Sequence, residues 1–394
     1  MSVDRPAPVG VRPVLRAPQV PWVLVASLVG RLPLGTAPLA LLLFARQSMP
    51  ISLAGVLVGA YTAGTALGQP LLARAADRWR QPPVMWAAVA LSTAGLLAVT
   101  VRPGPAGTVV AAFAAGAGAP PFEACLRVLW TDLVADRLRP AAYTLDVAVQ
   151  ELIFIVGPLV TLGAVALAGP RGGLAATALV QLAGTAAFAA APAVRRWRGE
   201  AAPRHWAGPL RAGRLRLLLA ATLLIGAGVG STTVAVAGFA EAHGTPSWAG
   251  WLLAAQALGA LIGGLVFAGA GGRLPADSPA LLPGLVAALA AGYLPLLLPL
   301  PVPAMALAMI VSGLALPPVL TRVFITTDAV APAGTAAEAF AWVATAFAVG
   351  SALGAATDGA ILDALHAVVA GFAPAPLVIF AAAALLYRDA RARR

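Results

Sequence analysis

The residues able to do chemistry in this chain are polar side chains stranded in long apolar runs. Arg31 stands midway along the first run, Glu123 and Arg127 lie one helical turn apart in the fourth, and Asp146, Gln150 and Glu151 share the fifth. Further along, Arg322 ends one apolar run and Glu338 opens the next, while Asp358 and Asp363 read as loop residues. An ionisable group in hydrocarbon is costly, so each must face a partner or a cavity. The chemistry on offer is proton exchange at a carboxylate, tuned by a neighbouring guanidinium. Arg31 is ten residues from Pro21 and Glu151 is ten from Ala141, which at a rise of about 1.5 Å per residue puts both roughly 15 Å into their runs. Equal depth predicts that Arg31 pairs with Glu151, with Glu123, Arg127 and Gln150 in the same network. Glu151 or Glu123 is then the proton carrier. A static ion-pair cluster that fixes helix register is the alternative.

The elements that must position these groups follow from composition. Hydrophobic residues make up 60% and charged residues 10% of the 394, with a mean hydropathy of +0.88, far from a soluble mixture. Runs of membrane-spanning length recur from Pro21 to Tyr387. None alternates polar and apolar residues as barrel strands must. The expected fold is therefore an all-α membrane protein with twelve transmembrane helices, near 21–44, 51–73, 83–101, 107–130, 141–168, 173–193, 215–238, 247–270, 280–300, 303–325, 336–357 and 365–387. The net charge of +11 follows topology, so nucleic acid is not an expected partner; the lipid bilayer is. Cys125 is the single cysteine, which excludes an intrachain disulfide, and no metal site or cofactor is expected. The chain has no lysine and hence no phosphate-binding loop of the Gly-Lys-Ser/Thr kind.

Arginines are lopsided across the twelve crossings. One face collects Arg74, Arg78, Arg80, Arg137, Arg139, Arg273 and both terminal clusters, while the other holds Arg46, Arg102 and Arg171. The positive-inside rule makes the first face cytoplasmic and places both termini there, in a bacterial inner membrane. A shift of 195 positions aligns Ser52, Ala54, Gly55, Ala60, Gly64, Gly68 and Arg78 with Ser247, Ala249, Gly250, Ala255, Gly259, Gly263 and Arg273, and Gly116, Pro120 and Pro121 echo Gly313, Pro317 and Pro318. Two parallel-repeat six-helix bundles are one transporter plan that such an echo fits. The expected organisation is an amino-terminal tail (1–20), a first bundle (21–193), a polar linker (194–214), a second bundle (215–387) and a basic tail (388–394).

Two motifs resemble those of the major facilitator superfamily. The stretch Gly68-Gln69-Pro70-Leu71-Leu72-Ala73-Arg74-Ala75-Ala76-Asp77-Arg78-Trp79-Arg80 is similar to the signature loop between its second and third helices, with Ala73 and Arg80 where glycines are usual. In the family this loop latches the two halves in the outward-facing state, which implies that role for Asp77 and Arg78. Asp77 is expected near the amino-terminal end of the eleventh helix, where partial positive charge stabilises an anion, and Arg78 near Asp132. Gly157-Pro158 looks like the motif of antiporter branches, of which only part is present, and Pro158 is expected to kink the fifth helix. Ala112 and Phe113 precede Gly116 where proton-coupled members carry an arginine.

The resemblance implies a monomeric secondary active transporter, not an enzyme, moving a small-molecule substrate by alternating access with protons as coupling ion. The second half is poor in buried charge and its walls are rich in Ala, Gly and Leu. With the partial Gly-Pro motif this points to export of a neutral or amphipathic compound; import of a sugar or amino-acid-like metabolite, or a non-transporting sensor, are the alternatives.

Overall fold

Proline and glycine decide where these helices start, break and stop. The computed structural model describes residues 11–101, 104–199, 205–245, 248–270, 280–365 and 371–392, and every regular element among them is a helix. After the short α1 (Val11–Arg16), the first crossing is made of α2 (Val20–Arg31) and α3 (Pro33–Ala45). The break falls at Leu32 because Pro33 has no N–H to donate and its ring crowds the preceding turn. The fourth crossing is likewise split, into α6 (Pro105–Ala117) and α7 (Phe122–Leu133), around Pro120 and Pro121. One carbonyl freed there, that of Ala119, accepts a hydrogen bond from the Gln69 side chain at 3.0 Å. The tenth repeats the device, with α13 (Val302–Gly313) and α14 (Leu316–Val330), where Pro317 and Pro318 occupy the first turn of the second segment.

The remaining crossings are α4 (Ile51–Arg78), α5 (Gln81–Val101), both limbs of α8 (Arg139–Ala190), α10 (Gly213–Ala242), α11 (Trp248–Ala270), α12 (Leu281–Tyr293), α15 (Ala336–Leu365) and α16 (Pro374–Arg391); α9 (Pro192–Arg196) is a short extension after α8. A straight helix of the 52 residues of α8 would extend about 80 Å, more than twice the ~30 Å hydrocarbon layer. Helix α8 folds back at Ala168 and Gly169, whose torsions are non-helical. Gly169 sits at φ +67°, a left-handed conformation that favours glycine, and Pro170 starts the return limb. With this double passage the described residues make twelve crossings, of which α12 and α16 are the shortest.

Two expectations need correction. Helix α4 runs on to Arg78, five residues past the expected end, so Asp77 and Arg78 lie in its last turn and not in a loop. Helix α15 continues to Leu365, which carries Asp358 inside it. Pro158 lies inside the first limb of α8, ten residues before the reversal at Ala168–Gly169.

The internal echo is a repeated packing geometry. A Cβ added to Gly64, Gly68 or Gly116 would strike the backbone oxygens of Phe113, Ala117 or Tyr61, where α4 crosses α6. The same substitution at Gly259, Gly263 or Gly313 would strike those of Ile310, Leu314 or Gln256, where α11 crosses α13. Backbones this close require glycine on the crossing face. Gly55, Gly59 and Gly250 meet nothing within 4 Å, so their spacing does not signal packing.

Candidate functional site

Two polar systems stand out, one inside the first six crossings and one between the halves. The inner system starts on α7, where Glu123 and Arg127 share a face at i,i+4 and form an ion pair. Arg127 also donates through Nε to Asp146 Oδ2 on α8 at 3.2 Å, and Asp146 Oδ1 accepts from Arg31 Nη2 on α2 at 2.6 Å. Asp146 therefore sits fully buried between two guanidinium groups that are 3% and 1% exposed. Glu123, at 18%, is the most exposed of the four. Two positive and two negative charges balance, which is what permits such deep burial. Three guanidinium nitrogens, Arg31 Nε and Nη1 and Arg127 Nη1, are buried without a hydrogen-bond partner. The arrangement can stabilise an acceptor group.

Arg31 pairs with Asp146, not with Glu151 as depth alone suggested. Five residues separate the two acids, which turns their side chains about 140° apart around the helix. Gln150 and Glu151 are half-buried and make no hydrogen bond or ion pair among the described residues. Glu151 instead shares a helix face with Thr144, seven residues earlier. Thr144 meets Thr321 of the second half at 3.0 Å, so this face of α8 looks toward the other bundle.

The second system joins α4 to α15. Asp77 is 8% exposed and accepts hydrogen bonds from the backbone N–H groups of Ala337 (3.1 Å) and Glu338 (2.8 Å). These are first-turn donors of α15 with no intrahelical acceptor, so the carboxylate caps the helix and meets its positive end. One turn back, Arg74 grips Glu338 with both Nε (2.8 Å) and Nη2 (2.6 Å), and Trp342 donates to the same carboxylate at 3.2 Å. Gly208, at φ +51°, lies so close to this pair that a Cβ would approach Glu338 Oε2 to 2.6 Å. The expected contact between Arg78 and Asp132 is absent among the described residues. Both are exposed, and Arg78 lies 5.9 Å from the ring of its neighbour Trp79.

Other bridges between the halves lie on the same arginine-rich side. Arg139 reaches Asp328 at 3.7 Å, the ring of Tyr143 lies near those of Phe324 and Phe340, and the Arg127 guanidinium stacks 3.6 Å above Phe324. Deeper in, Thr345 donates to Ala66 O at 3.1 Å. Arg322, midway along α14, lines a small cleft with Arg214 at the start of α10 and Asp389 near the end of α16. Gly157 is a packing position, since a Cβ there would come within 2.8 Å of the Gly35 backbone on α3. Sequence reasoning missed Arg74 and Arg139 as bridging residues. The i,i+3 spacing of Arg74 and Asp77 on one helix face was the available signal.

A family model described as Major Facilitator Superfamily matches residues 23–219, half of the chain. The chain belongs to this superfamily, whose members are transporters and not enzymes. Solved structures agree over nearly the whole length. A bacterial homologue of the iron transporter ferroportin, in the outward-facing state, superimposes with a TM-score of 0.72 at 15% identity, covering 93% of this chain and 98% of the other. The E. coli fucose:proton symporter FucP gives 0.70 at 14%, covering 96% and 100%. The human organic anion transporter MFSD10 gives 0.63 at 16%, covering 97% and 100%. A comparison with curated proteins finds no match. The fold is thus that of two parallel-repeat six-helix bundles, and the chain is a multi-pass membrane protein that performs secondary transport.

Proposed function

We propose that this chain is a proton-coupled exporter of a neutral or amphipathic small molecule in the bacterial inner membrane, with the arginine-rich face and both termini in the cytoplasm. The observation that carries the reading is the chemistry of the α4–α15 junction. Asp77, Arg74 and Glu338 join the halves through charge-assisted hydrogen bonds at a helix end, where water can replace them, beside the apolar contact of Tyr143 with Phe324 and Phe340. A junction of that kind can open and close in every cycle. On this orientation the halves are closed toward the cytoplasm and the conformation is outward-facing. The division into 21–193 and 215–387, joined by 194–214, gives the two bodies that rock.

Coupling belongs to the first bundle. The proton carrier is Glu151, on the face of α8 that looks toward the second bundle, or Glu123 beside Arg127. The substrate occupies the space between bundles, with Gln150 on its wall. The apolar walls and the partial Gly157-Pro158 motif favour an amphipathic substrate and outward movement. Purified protein in sealed liposomes with an imposed proton gradient tests this: substrate should move against its gradient, and an uncoupler should stop it. Saturable import that ignores the uncoupler would overturn the reading.

A further inference from the structure

Helices α10 and α15 pack on a ladder of small residues. Cβ atoms added to Gly226 and Gly230 would strike the backbone of Phe347 and Ser351, and those added to Gly350 and Gly354 would strike Leu223 and Ala227. Each step advances four residues on both helices, so the backbones run side by side in contact. One more step in the register that pairs Gly350 with Leu223 and Gly354 with Ala227 brings Asp358 against Ser231. The seam thus receives a carboxylate where the previous two turns had only hydrogen. Asp358 is 0% exposed, and both of its oxygens are buried without a hydrogen-bond partner. Ser231 is also buried, and its hydroxyl is committed only to a long 3.3 Å bond to Gly228 O. One turn beyond, the Leu362 side chain lies against Gly238 and Gly371 and closes the seam.

No described charge compensates this group. Asp358 is twenty residues past Glu338, roughly 30 Å along α15, so the latch and the Arg127 network are at the other end of the crossing. The charges of the other packed helices, Arg322 and Asp328 on α14, Arg388, Asp389 and Arg391 on α16, and Arg214 and Arg216 at the start of α10, also lie toward that distant end. At the near end of α10, Glu241 and His243 are exposed. An ion sealed in hydrocarbon without a partner is far more costly than a neutral acid.

We propose that Asp358 is a proton-binding site of the second bundle, loaded while the α10–α15 seam is shut and unloaded to water at the face opposite the latch when the seam opens. Unloading breaks one O–H bond heterolytically: the electron pair stays on the carboxylate, the proton passes to water, and nothing is oxidised. Ser231 then has a carboxylate to which its hydroxyl can donate. The loaded state stands on the geometry alone, whereas unloading within a transport cycle rests on the proton-coupled reading above.

Infrared difference spectroscopy of the full-length protein in lipid nanodiscs tests the site. At neutral pH the wild type should show the carbonyl band of an un-ionised carboxyl, sensitive to deuterium exchange, that Asp358→Asn lacks. Asp358→Ser, whose small side chain suits the glycine register, should lack it too if the amide variant fails to fold. A band of equal size in wild type and in either folded variant overturns the proposal. In liposomes Asp358→Asn should lose proton-driven accumulation but keep substrate exchange, and accumulation at the wild-type rate would overturn the unloading step. Failure of the proton-coupled reading shows itself differently, as a wild type that ignores the gradient while keeping the Asp358 band.

Discussion

Replacing Asp77 by Asn keeps the size of the side chain and one carbonyl acceptor but removes the charge and one of the two bonds to α15. The lost bond is charge-assisted and buried, worth about 1.5–3 kcal/mol in a protein. It exists only while α4 and α15 are docked, so its loss falls on the docked state alone. A shift of that size moves a two-state equilibrium by about 10- to 150-fold. Spin labels on cysteines at Asp132 and Ala329, exposed ends of α7 and α14 on the arginine-rich face, would report it in a Cys125→Ala background. The wild type should give one short distance, and Asp77→Asn a second, longer one with the corresponding rise in population. Transport should fall while membrane abundance stays near normal, because the bonds lost lie between the two bundles and not within either. An unchanged distance distribution in Asp77→Asn, and in its combination with Arg74→Met, would refute the reasoning that these bonds hold the halves together.

Arg74→Met should open the same face further than Asp77→Asn does, because it leaves the 2%-exposed Glu338 carboxylate without its partner; adding Glu338→Gln should restore much of the short distance. Asp146→Asn should lower thermal stability and abundance, since it leaves the buried Arg31 without its acidic partner and Arg127 with Glu123 alone, at a cost on the order of 3–5 kcal/mol, whereas Glu151→Gln should leave both unchanged and affect only proton-driven transport. Equal stability losses in the two variants would contradict the assignment of Asp146 as the structural anion. Gly64→Ala should cost about 1–3 kcal/mol by forcing α4 and α6 apart, and Gly59→Ala about 0.5 kcal/mol or less, as read from thermal unfolding in detergent. Single cysteines at Arg80 and Arg46 should differ in intact cells, with an impermeant reagent labelling only the second; the reverse pattern would invert the proposed topology.

Much of the architecture was legible because hydrocarbon imposes strong rules on backbone. Apolar length located the crossings, and prolines at 33, 120 to 121 and 317 to 318 mark the places where the first, fourth and tenth helices divide. Helix ends were harder to read, for one physical reason. A hydropathy pattern ends at the first polar residue, but a helix ends where its hydrogen-bonding does. Helix α4 therefore continues through Arg74 and Asp77 to Arg78, and α15 continues through Asp358 because the Gly350–Gly354 face holds it against α10. In the site, depth arithmetic found the correct helices but the wrong acid. Height along an axis leaves the azimuth free, and an arginine side chain is long enough to reach a carboxylate more than one turn away from its own level.

Arg127 shows how a static cluster and a moving junction can share one residue. Its ion pairs to Glu123 and Asp146 lie wholly within the first bundle, so rocking of the halves leaves them intact. Its contact with the Phe324 ring crosses to the second bundle and must be made or broken each time the arginine-rich face closes or opens. A guanidinium over an aromatic face gains about 0.5–2 kcal/mol, too little to lock the halves. It is enough to bias them by a few-fold to about thirty-fold, and the gain depends on how strongly the neighbouring carboxylates already hold the charge. Protonating Glu123 removes one competitor for that guanidinium and leaves it freer to favour the ring. Through Arg127, then, the charge state of the most exposed acid in the network is connected by direct contact to the closure of the two bundles.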